Sequence, residues 1–392
     1  MIADLHAHYA MHLVPDEHGA TFHLLATARG RARLRDRLRA QVVGLAGRFA
    51  NYRDFSSGPR VTMPALREGG VGVAFSVLYS FFDELDLDAP YGAPPENAYL
   101  PRLKRQLELV EKDIYERHAG EAAVAHGPRE LEEVLARGEV ALVHCVEGGF
   151  HLGASPETVD RAVSELAARG VAYITLPHLV WRGVATNAPA LPFLPDWLYG
   201  LLFPQPAQGL SELGRAAVEA MARERVLVDL SHMSEHALDD TFALLDRVDP
   251  ERALPVLASH AGVRFGRQRF MLSEWSVERI AERDGVVGLI FGQHQLTDGI
   301  RRRRTSTLEE SLEVIYRHID RLRELTGSHR HAAIGSDLDG FIKPTLGGLE
   351  TMADMAPLER ALVKRYGHGD AALICADNAL RVLRRAWAGR DA

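Results

Sequence analysis

The chain has 392 residues, of which 46% are hydrophobic and 25% charged, so its composition excludes disordered, collagen-like and other fibrous proteins. The net charge is -7 and no basic stripe with interleaved aromatic residues is present, so we expect no nucleic-acid partner. The sequence contains neither a run of about 18 apolar residues nor a basic, hydrophobic leader, so we expect a cytoplasmic protein with no membrane partner.

Short β-type runs alternate with helical patterns along the chain. Eight runs are found, at residues 2–5, 71–79, 140–146, 171–176, 226–230, 255–258, 286–291 and 332–335. Strands that alternate with amphipathic helices predict parallel βα units, and eight such units predict an α/β fold of the closed (β/α)8 TIM-barrel type. No linker or internal repeat divides the sequence, so we expect residues 1–392 to form one domain.

Two segments interrupt this alternation. Residues 10–60 include an arginine-rich helical stretch at 28–48, and residues 188–207 are rich in proline. We expect both as insertions, after the first and the fourth predicted strand, on the face of a barrel where substrate pockets form. The apolar side chains between Phe193 and Phe203 are equally consistent with a pocket wall, a satellite core and the subunit interface of a homodimer.

Side chains able to bind metal follow six of the eight runs. They are His6 and His8 after the first run, Glu147 after the third, His178 after the fourth, His232 after the fifth, His260 after the sixth and Asp337 after the eighth. The carboxyl ends of parallel barrel strands face one rim, so we expect these side chains to converge. Burying five imidazoles and two carboxylates together without a cation would cost several kcal/mol. The pattern therefore predicts a metal centre.

The spacing of His6 and His8 supports this interpretation, because residues i and i+2 of a strand point to the same side. Nitrogen and oxygen ligands without an evident thiolate favour zinc, with manganese, iron or cobalt as alternatives. Cys145 shares the side of Glu147 in the strand alternation, but core packing is the better interpretation of this thiol. Cys145 and Cys375 lie in separate apolar runs, as expected of buried free thiols in a reducing compartment.

Several motifs then resemble one known family. They are VEGG at 146–149, GVAYITLPH at 170–178, VDLSH within 209–238, PVLASHAG at 255–262, IGSDLDG at 334–340 and DNALRVLRR at 377–385. Together, and in this order, they resemble the membrane (renal) dipeptidases of the amidohydrolase superfamily. The resemblance implies a (β/α)8 barrel that binds two zinc ions and hydrolyses dipeptides with a metal-bound hydroxide.

The resemblance also implies a role for each of these residues. Glu147 would bridge two metal ions, with His6 and the residue at position 8 on the first ion and His232 and His260 on the second. Asp337 would accept the proton of the nucleophile and pass it to the leaving amine. His178 would bind the scissile carbonyl and stabilise the oxyanion.

An arginine after the sixth strand would hold the substrate carboxylate as a bidentate clamp. The loop offers Arg264, Arg267 and Arg269; Arg269 is our first choice, although the phasing from His260 leaves all three open.

Two departures from the family pattern bear on the substrate. The family opens with HxD, whereas this chain has His6-x-His8, and a neutral imidazole leaves more positive charge on the first metal. The family's asparagine-rich loop after the fourth strand is also replaced by a different sequence. An N-acyl amino acid, a lactone or another small amide is therefore the alternative substrate, and a ligand-binding barrel that has lost its metal is the non-enzymatic alternative.

Overall fold

The structure is a computed structural model that describes residues 1–14, 38, 39, 41, 58–85, 90–191, 194–340, 342 and 344–388. Its centre is a sheet of nine parallel strands. The strands are β1 Ile2–Ala7, β2 Val71–Leu78, β3 Ala122–Val124, β4 Val140–Glu147, β5 Tyr173–Thr175, β6 Leu227–Asp229, β7 Val256–Ala261, β8 Val286–Leu289 and β9 Ala332–Ile334.

Eight of these strands close into a barrel. Their order is β1-β2-β4-β5-β6-β7-β8-β9, and closure comes from the pairing of β9 with β1, where Asp4 lies opposite Ile334. The strands are buried almost throughout, since side chains fill the barrel on one face and helices cover the other. The eight strands coincide with the eight predicted runs, so the prediction of a (β/α)8 barrel is confirmed.

The ninth strand, β3, was not predicted. It pairs with the first half of β4, from Ala122 opposite Val140 to Val124 opposite Leu142. The next barrel strand, β5, pairs with β4 at Val146 and Glu147, near the end of β4. The first half of the same edge of β4 is therefore left for β3. A run of three residues, two of them alanines, is too short to show a strand period in the sequence.

Helices surround the barrel. Within the described residues they are α1 Met63–Glu68, α2 Phe81–Glu84, α3 Tyr99–Arg117, α4 Pro128–Ala136, α5 Pro156–Ala168, α6 Asp196–Leu202, α7 Glu212–Arg223, α8 Glu235–Val248, α9 Glu274–Glu282, α10 Gln293–Leu296, α11 Leu308–Thr326, α12 Met355–Ala372 and α13 Asn378–Trp387. Six of them begin after a residue whose hydroxyl accepts a backbone N–H of the first turn: Thr62, Ser155, Ser211, Ser234, Ser273 and Thr307. Such caps contribute about 1 kcal/mol each and fix where the crossover helices start.

The C-terminal helix α13 is tied to the beginning of β9. The amide of Asn378, which is fully buried, donates hydrogen bonds of 2.8 Å to the carbonyls of His329 and Ala332. Trp387 at the end of α13 is also completely buried. The DNALRVLRR motif therefore holds the last helix against the barrel.

The two predicted insertions are described only in part. Most of the first, including nearly all of the helical stretch at 28–48, lies outside the described residues. In the second, Tyr199 and Phe203 are buried and belong to the main hydrophobic core, whereas Trp197 and Leu201 are more than 70% exposed. Residues 192–193, and with them Phe193, are not described. A homodimer interface on this segment stays a prediction.

No helix in the part of the chain that the structure describes has the length and apolar character needed to cross a bilayer.

Candidate metal centre

The side chains predicted from the strand ends meet at the carboxyl end of the barrel. All seven are buried, with exposed fractions of 7% or less: His6, His8, Glu147, His178, His232, His260 and Asp337. They come from β1, β4, β7 and the loops that follow β1, β5, β6 and β9. The convergence expected from the barrel geometry is therefore present.

Glu147 is the middle of this group. Its Oε1 lies 3.5 Å from the Nε2 atoms of three histidines, His6, His232 and His260. Its Oε2 lies 3.5 Å from Nε2 of His178 and 3.8 Å from Nε2 of His8. Neither carboxylate oxygen accepts a hydrogen bond from the described residues. Five imidazole nitrogens thus face one buried carboxylate without satisfying it.

This geometry fits metal ions. Ligands on zinc at 2.0–2.1 Å in a tetrahedral arrangement are about 3.3 Å apart, close to the 3.5 Å separations around Glu147. Ligand atoms within 4.8 Å of one another form three overlapping sets: His6, Glu147 and His260; His6, His8 and Asp337; and Glu147, His178 and His232. The residues present can therefore hold more than one ion, with Glu147 shared.

The charge state of the group also suits metal binding. Burial favours the neutral acid at Glu147, but the imidazoles of His178 and His6 hold its pKa well below the usual value. Burial lowers the pKa of His6, which keeps this ring neutral as a ligand must be. Burial also raises the pKa of Asp337, against the effect of His8 at 3.0 Å. The buried Cys145 remains a thiol, since burial raises its pKa well above the usual value, which agrees with core packing.

Ser259 orients two of the histidines. Its Oγ donates to Oδ2 of Asp229 at 2.7 Å and accepts from Nδ1 of His260 at 2.8 Å and Nδ1 of His6 at 3.1 Å. A hydroxyl has one donor and two acceptor positions, so all three are in use. Nδ1 of His6 also lies 2.8 Å from the hydroxyl of Tyr173, which itself donates to the carbonyl of Leu5. Both rings therefore carry their proton on Nδ1 and direct Nε2 towards Glu147.

His178 is oriented by Glu84, a residue that the sequence analysis missed. Nδ1 of His178 donates to Oε2 of Glu84 at 2.7 Å, and Glu84 also accepts from Tyr79 Oη at 2.6 Å and the Val180 amide at 2.8 Å. Burial favours the neutral ring, but the charges of Glu147 and Glu84 outweigh it and raise the pKa of His178 to about 9. Glu84 lies in α2 just after β2, and its position after a strand was the only signal in the sequence.

The backbone is unusual at two of the predicted residues. His232 has φ of +65° and Asp337 has φ of +58°, values that are uncommon for residues other than glycine. The Asp337 amide donates to the carbonyl of His6 at 2.9 Å, which holds it beside β1. Such conformations persist where neighbouring contacts impose them, as they often do at functional sites.

Asp339, two residues after Asp337, has a loop-holding role. Its Oδ2 accepts the amides of Arg60 and Val61 at 2.8 Å each, and Nε2 of His12 lies 2.8 Å away. Asp339 therefore fixes the loop that contains Arg60 and Val61 by hydrogen bonds.

The three candidate arginines differ in their contacts. Arg264 is engaged, donating to Glu235 at 2.7 Å and to the Met271 carbonyl at 2.9 Å. Arg269 is about half exposed and borders a cavity of about 280 Å³; among the described residues its side chain has a loose ion pair with Glu235 at 3.8 Å. The next residue, Phe270, packs edge-on against the ring of His232. Arg267 is exposed.

A family model described as "Membrane dipeptidase (Peptidase family M19)" matches residues 32–390 of the chain. The matched range begins after His6 and His8 and contains the other five residues of the predicted centre. The HxH pair therefore lies outside the part of the chain on which the match rests.

Relatives in sequence are distant. The "Uncharacterized protein in pqqA 5'region" of Klebsiella pneumoniae is 30% identical over 190 residues, which are 47% of this chain and 64% of that protein, so the match spans less than two thirds of the relative. "Dipeptidase verJ" of Clonostachys rogersoniana is 26% identical over 302 residues, which are 76% of this chain and 69% of that protein.

Among solved structures, a metallo peptidase from Rhodobacter sphaeroides, liganded with a phosphinate mimic of the dipeptide L-Ala-D-Ala, superposes with a TM-score of 0.68. The superposition covers 98% of this chain and 99% of that chain at 21% identity. At this identity the likeness is one of fold.

The hydrogen bonds of Ser259 predict that it controls metal retention. We expect Ser259→Ala to weaken zinc binding by about 10- to 100-fold, because His6 and His260 lose the group that fixes their tautomer and orientation. The measurement is the chelator concentration that removes half of the bound zinc. Ser76→Ala is the matched control, since the buried Ser76 hydroxyl has no hydrogen-bond partner among the described residues. Equal zinc retention in the two variants would contradict the prediction.

Proposed function

The chain belongs to the membrane dipeptidase family, peptidase family M19, and on this premise we propose that it is a zinc-dependent dipeptidase with two metal ions. The observation that carries the proposal is the buried Glu147 carboxylate, with both oxygens unbonded and five imidazole nitrogens within 3.8 Å. One relative is named a dipeptidase, and one solved structure of the same fold holds a dipeptide mimic. Both support a small peptide as the substrate.

Glu147 would be shared between the two ions. His6 and His8 would hold one ion with it, and His232 and His260 the other. The bound ions would supply Lewis acidity, which activates water as a nucleophile near neutral pH.

Two residues move or hold charge during hydrolysis. Asp337 takes the proton of the nucleophile and delivers it to the leaving amine, a role favoured by burial, which raises its pKa. His178 faces the centre with Nε2 while Glu84 holds its Nδ1, so it donates to the carbonyl oxygen as negative charge develops there. Glu84 is the positioning residue for this donor.

Arg269 recognises the carboxylate of the dipeptide. Arg264 is committed to Glu235 and a backbone carbonyl, whereas the ion pair of Arg269 is loose enough to exchange for a substrate. The adjacent Phe270 contacts His232, which brings this segment to the wall of the centre.

A second substrate class is favoured by one observation. His8 stands where the family has a carboxylate, and this position precedes the residues that match the family model. Nε2 of His8 lies 3.0 Å from Oδ1 of Asp337. Changed charge on the first ion and on the proton acceptor favours another small amide, an N-acyl amino acid or a lactone as the alternative substrate.

The small-molecule substrate is the partner that this function needs. Both free cysteines are buried, as expected in a reducing compartment, and we propose a cytoplasmic location on that ground.

The substrate proposal is tested with a panel of L,L- and L,D-dipeptides beside N-acyl amino acids and lactones. We expect the zinc-loaded enzyme to hydrolyse dipeptides best, chelation to abolish hydrolysis, and added zinc, manganese or cobalt to restore it. Preferred hydrolysis of acylated substrates or lactones would select the alternative, and turnover that survives complete metal removal would contradict a metallohydrolase.

If Asp337 transfers the proton, its substitution should lower kcat without removing the bound zinc. We expect Asp337→Asn to lower kcat by at least about 100-fold, because the amide keeps the shape but does not accept the proton. Zinc content, measured by elemental analysis, should stay near that of the wild type. Undiminished turnover would remove Asp337 from the mechanism.

Carboxylate recognition predicts a change in KM at Arg269. We expect Arg269→Met to raise KM for dipeptides by about 10- to 100-fold, as for a lost charge-assisted hydrogen bond, with kcat much less affected. Dipeptide amides, which lack the carboxylate, should be insensitive to the substitution. Arg267→Met serves as the control, since Arg267 is an exposed arginine of the same loop. A larger effect in the control would transfer the role to Arg267.

A further inference from the structure

A second group of metal-binding side chains lies on the outer side of the barrel. Glu111 belongs to α3, His126 follows β3, and His144 is in the middle of β4. His144 and Glu147 differ by an odd number of positions along the strand, so His144 points to the helix layer, where it meets Glu111. The group is thus separate from the centre at the rim.

The distances within the group suit an ion. Oε1 of Glu111 lies 3.0 Å from Nε2 of His126 and 3.6 Å from Nε2 of His144. Ligand atoms from all three residues are within 4.8 Å of one another. These separations bracket the value of about 3.3 Å expected between ligands of one tetrahedral zinc.

His144 is the residue of this group that lacks a hydrogen-bond partner for its polar atoms in the described part of the chain. It is fully buried, and neither of its ring nitrogens has a hydrogen-bond partner among the described residues. Its closest approach to Glu111, 3.6 Å, is too long for a hydrogen bond. Leaving a buried polar group unpaired is unfavourable, so a missing partner beside Nε2 is indicated.

The other two side chains already have the orientation of ligands. Nδ1 of His126 lies 2.9 Å from a carboxylate oxygen of Glu130, which directs Nε2 to Glu111. Arg169 donates to Oε2 of Glu111 at 2.7 Å, so Oε1 is left for the histidines. A carboxylate on the outer nitrogen of a histidine is the usual support of a metal ligand.

A purely ionic interpretation explains less. A protonated His126 between Glu111 and Glu130 would account for its two short contacts. It would not supply a partner for His144, whose nitrogens would stay buried and unpaired. A cation between the three side chains would bind Nε2 of both His126 and His144.

We propose that Glu111, His126 and His144 form a further binding site for a divalent transition-metal ion of the zinc type. Two imidazoles and one carboxylate supply three ligands, and a water completes the shell through an adjoining cavity of about 440 Å³ that Glu111 and His126 line. The bound ion links α3, the loop after β3 and strand β4. Its role is structural, fastening the outer helix to the strand that ends in Glu147.

The test compares zinc per chain in the full-length protein and its variants, equilibrated in the same zinc buffer. We expect His126→Ala and Glu111→Gln each to bind one zinc fewer than the wild type, with dipeptide hydrolysis retained. His118→Ala is the matched control, since His118 is a partly exposed histidine with ion-pair partners at the end of α3, and it should bind as much zinc as the wild type.

The readout is the difference in zinc per chain between the wild type and each variant. This difference does not depend on how many ions the barrel rim binds. Loss of one zinc in both variants supports the site. Zinc content equal to that of the wild type in either variant overturns it, and this result would leave the proposed dipeptidase function untouched. Circular dichroism of each variant confirms folding, and the conservative Glu111→Gln keeps the test decisive should His126→Ala be unstable.

Discussion

The Glu147 carboxylate is enclosed by imidazole rings and accepts no hydrogen bond from any described residue. The rest of the barrel rim is arranged around the need to balance this buried charge. The imidazole rings around Glu147 hold its pKa well below the usual value, so the carboxylate is ionised. Burying this charge without a hydrogen bond or a counter-ion would cost several kcal/mol. Cations resolve this conflict. The ligands then need fixed tautomers, and Ser259 and Glu84 provide them through hydrogen bonds to the outer nitrogens of the rings.

The closed sheet stabilises the fold enough to carry this concentration of buried polar groups at one rim. Its strands are mostly apolar, and the side chains of the site come from the strand ends and the loops that follow them, so the core and the site do not compete for positions. His232 and Asp337 adopt positive φ angles at this boundary, where the Ala188 amide holds the carbonyl of His232 and the carbonyl of His6 in β1 holds the Asp337 amide. The barrel wall thus provides the stability, and two of the loops that carry the chemistry accept backbone strain.

The sequence predicted most of this arrangement because its signals are local. Strands buried on both faces are continuous apolar runs, and the histidines follow them directly, so their convergence required only barrel closure. Contacts that barrel closure alone does not determine were not predictable. Glu84 meets His178 across 94 positions, and β3 is too short to show a period. The choice among the arginines depended on the path of an irregular loop, whose phasing from His260 a sequence does not contain.

The shared hydroxyl of Ser259 has a consequence for how the rim would load. Its two acceptor positions serve one ring assigned to each ion, His6 and His260, so an ion that settles the first ring also settles the hydroxyl for the second. The two binding equilibria proposed for the rim would then be thermodynamically linked through a single hydroxyl, so that neither ion would bind independently of the other.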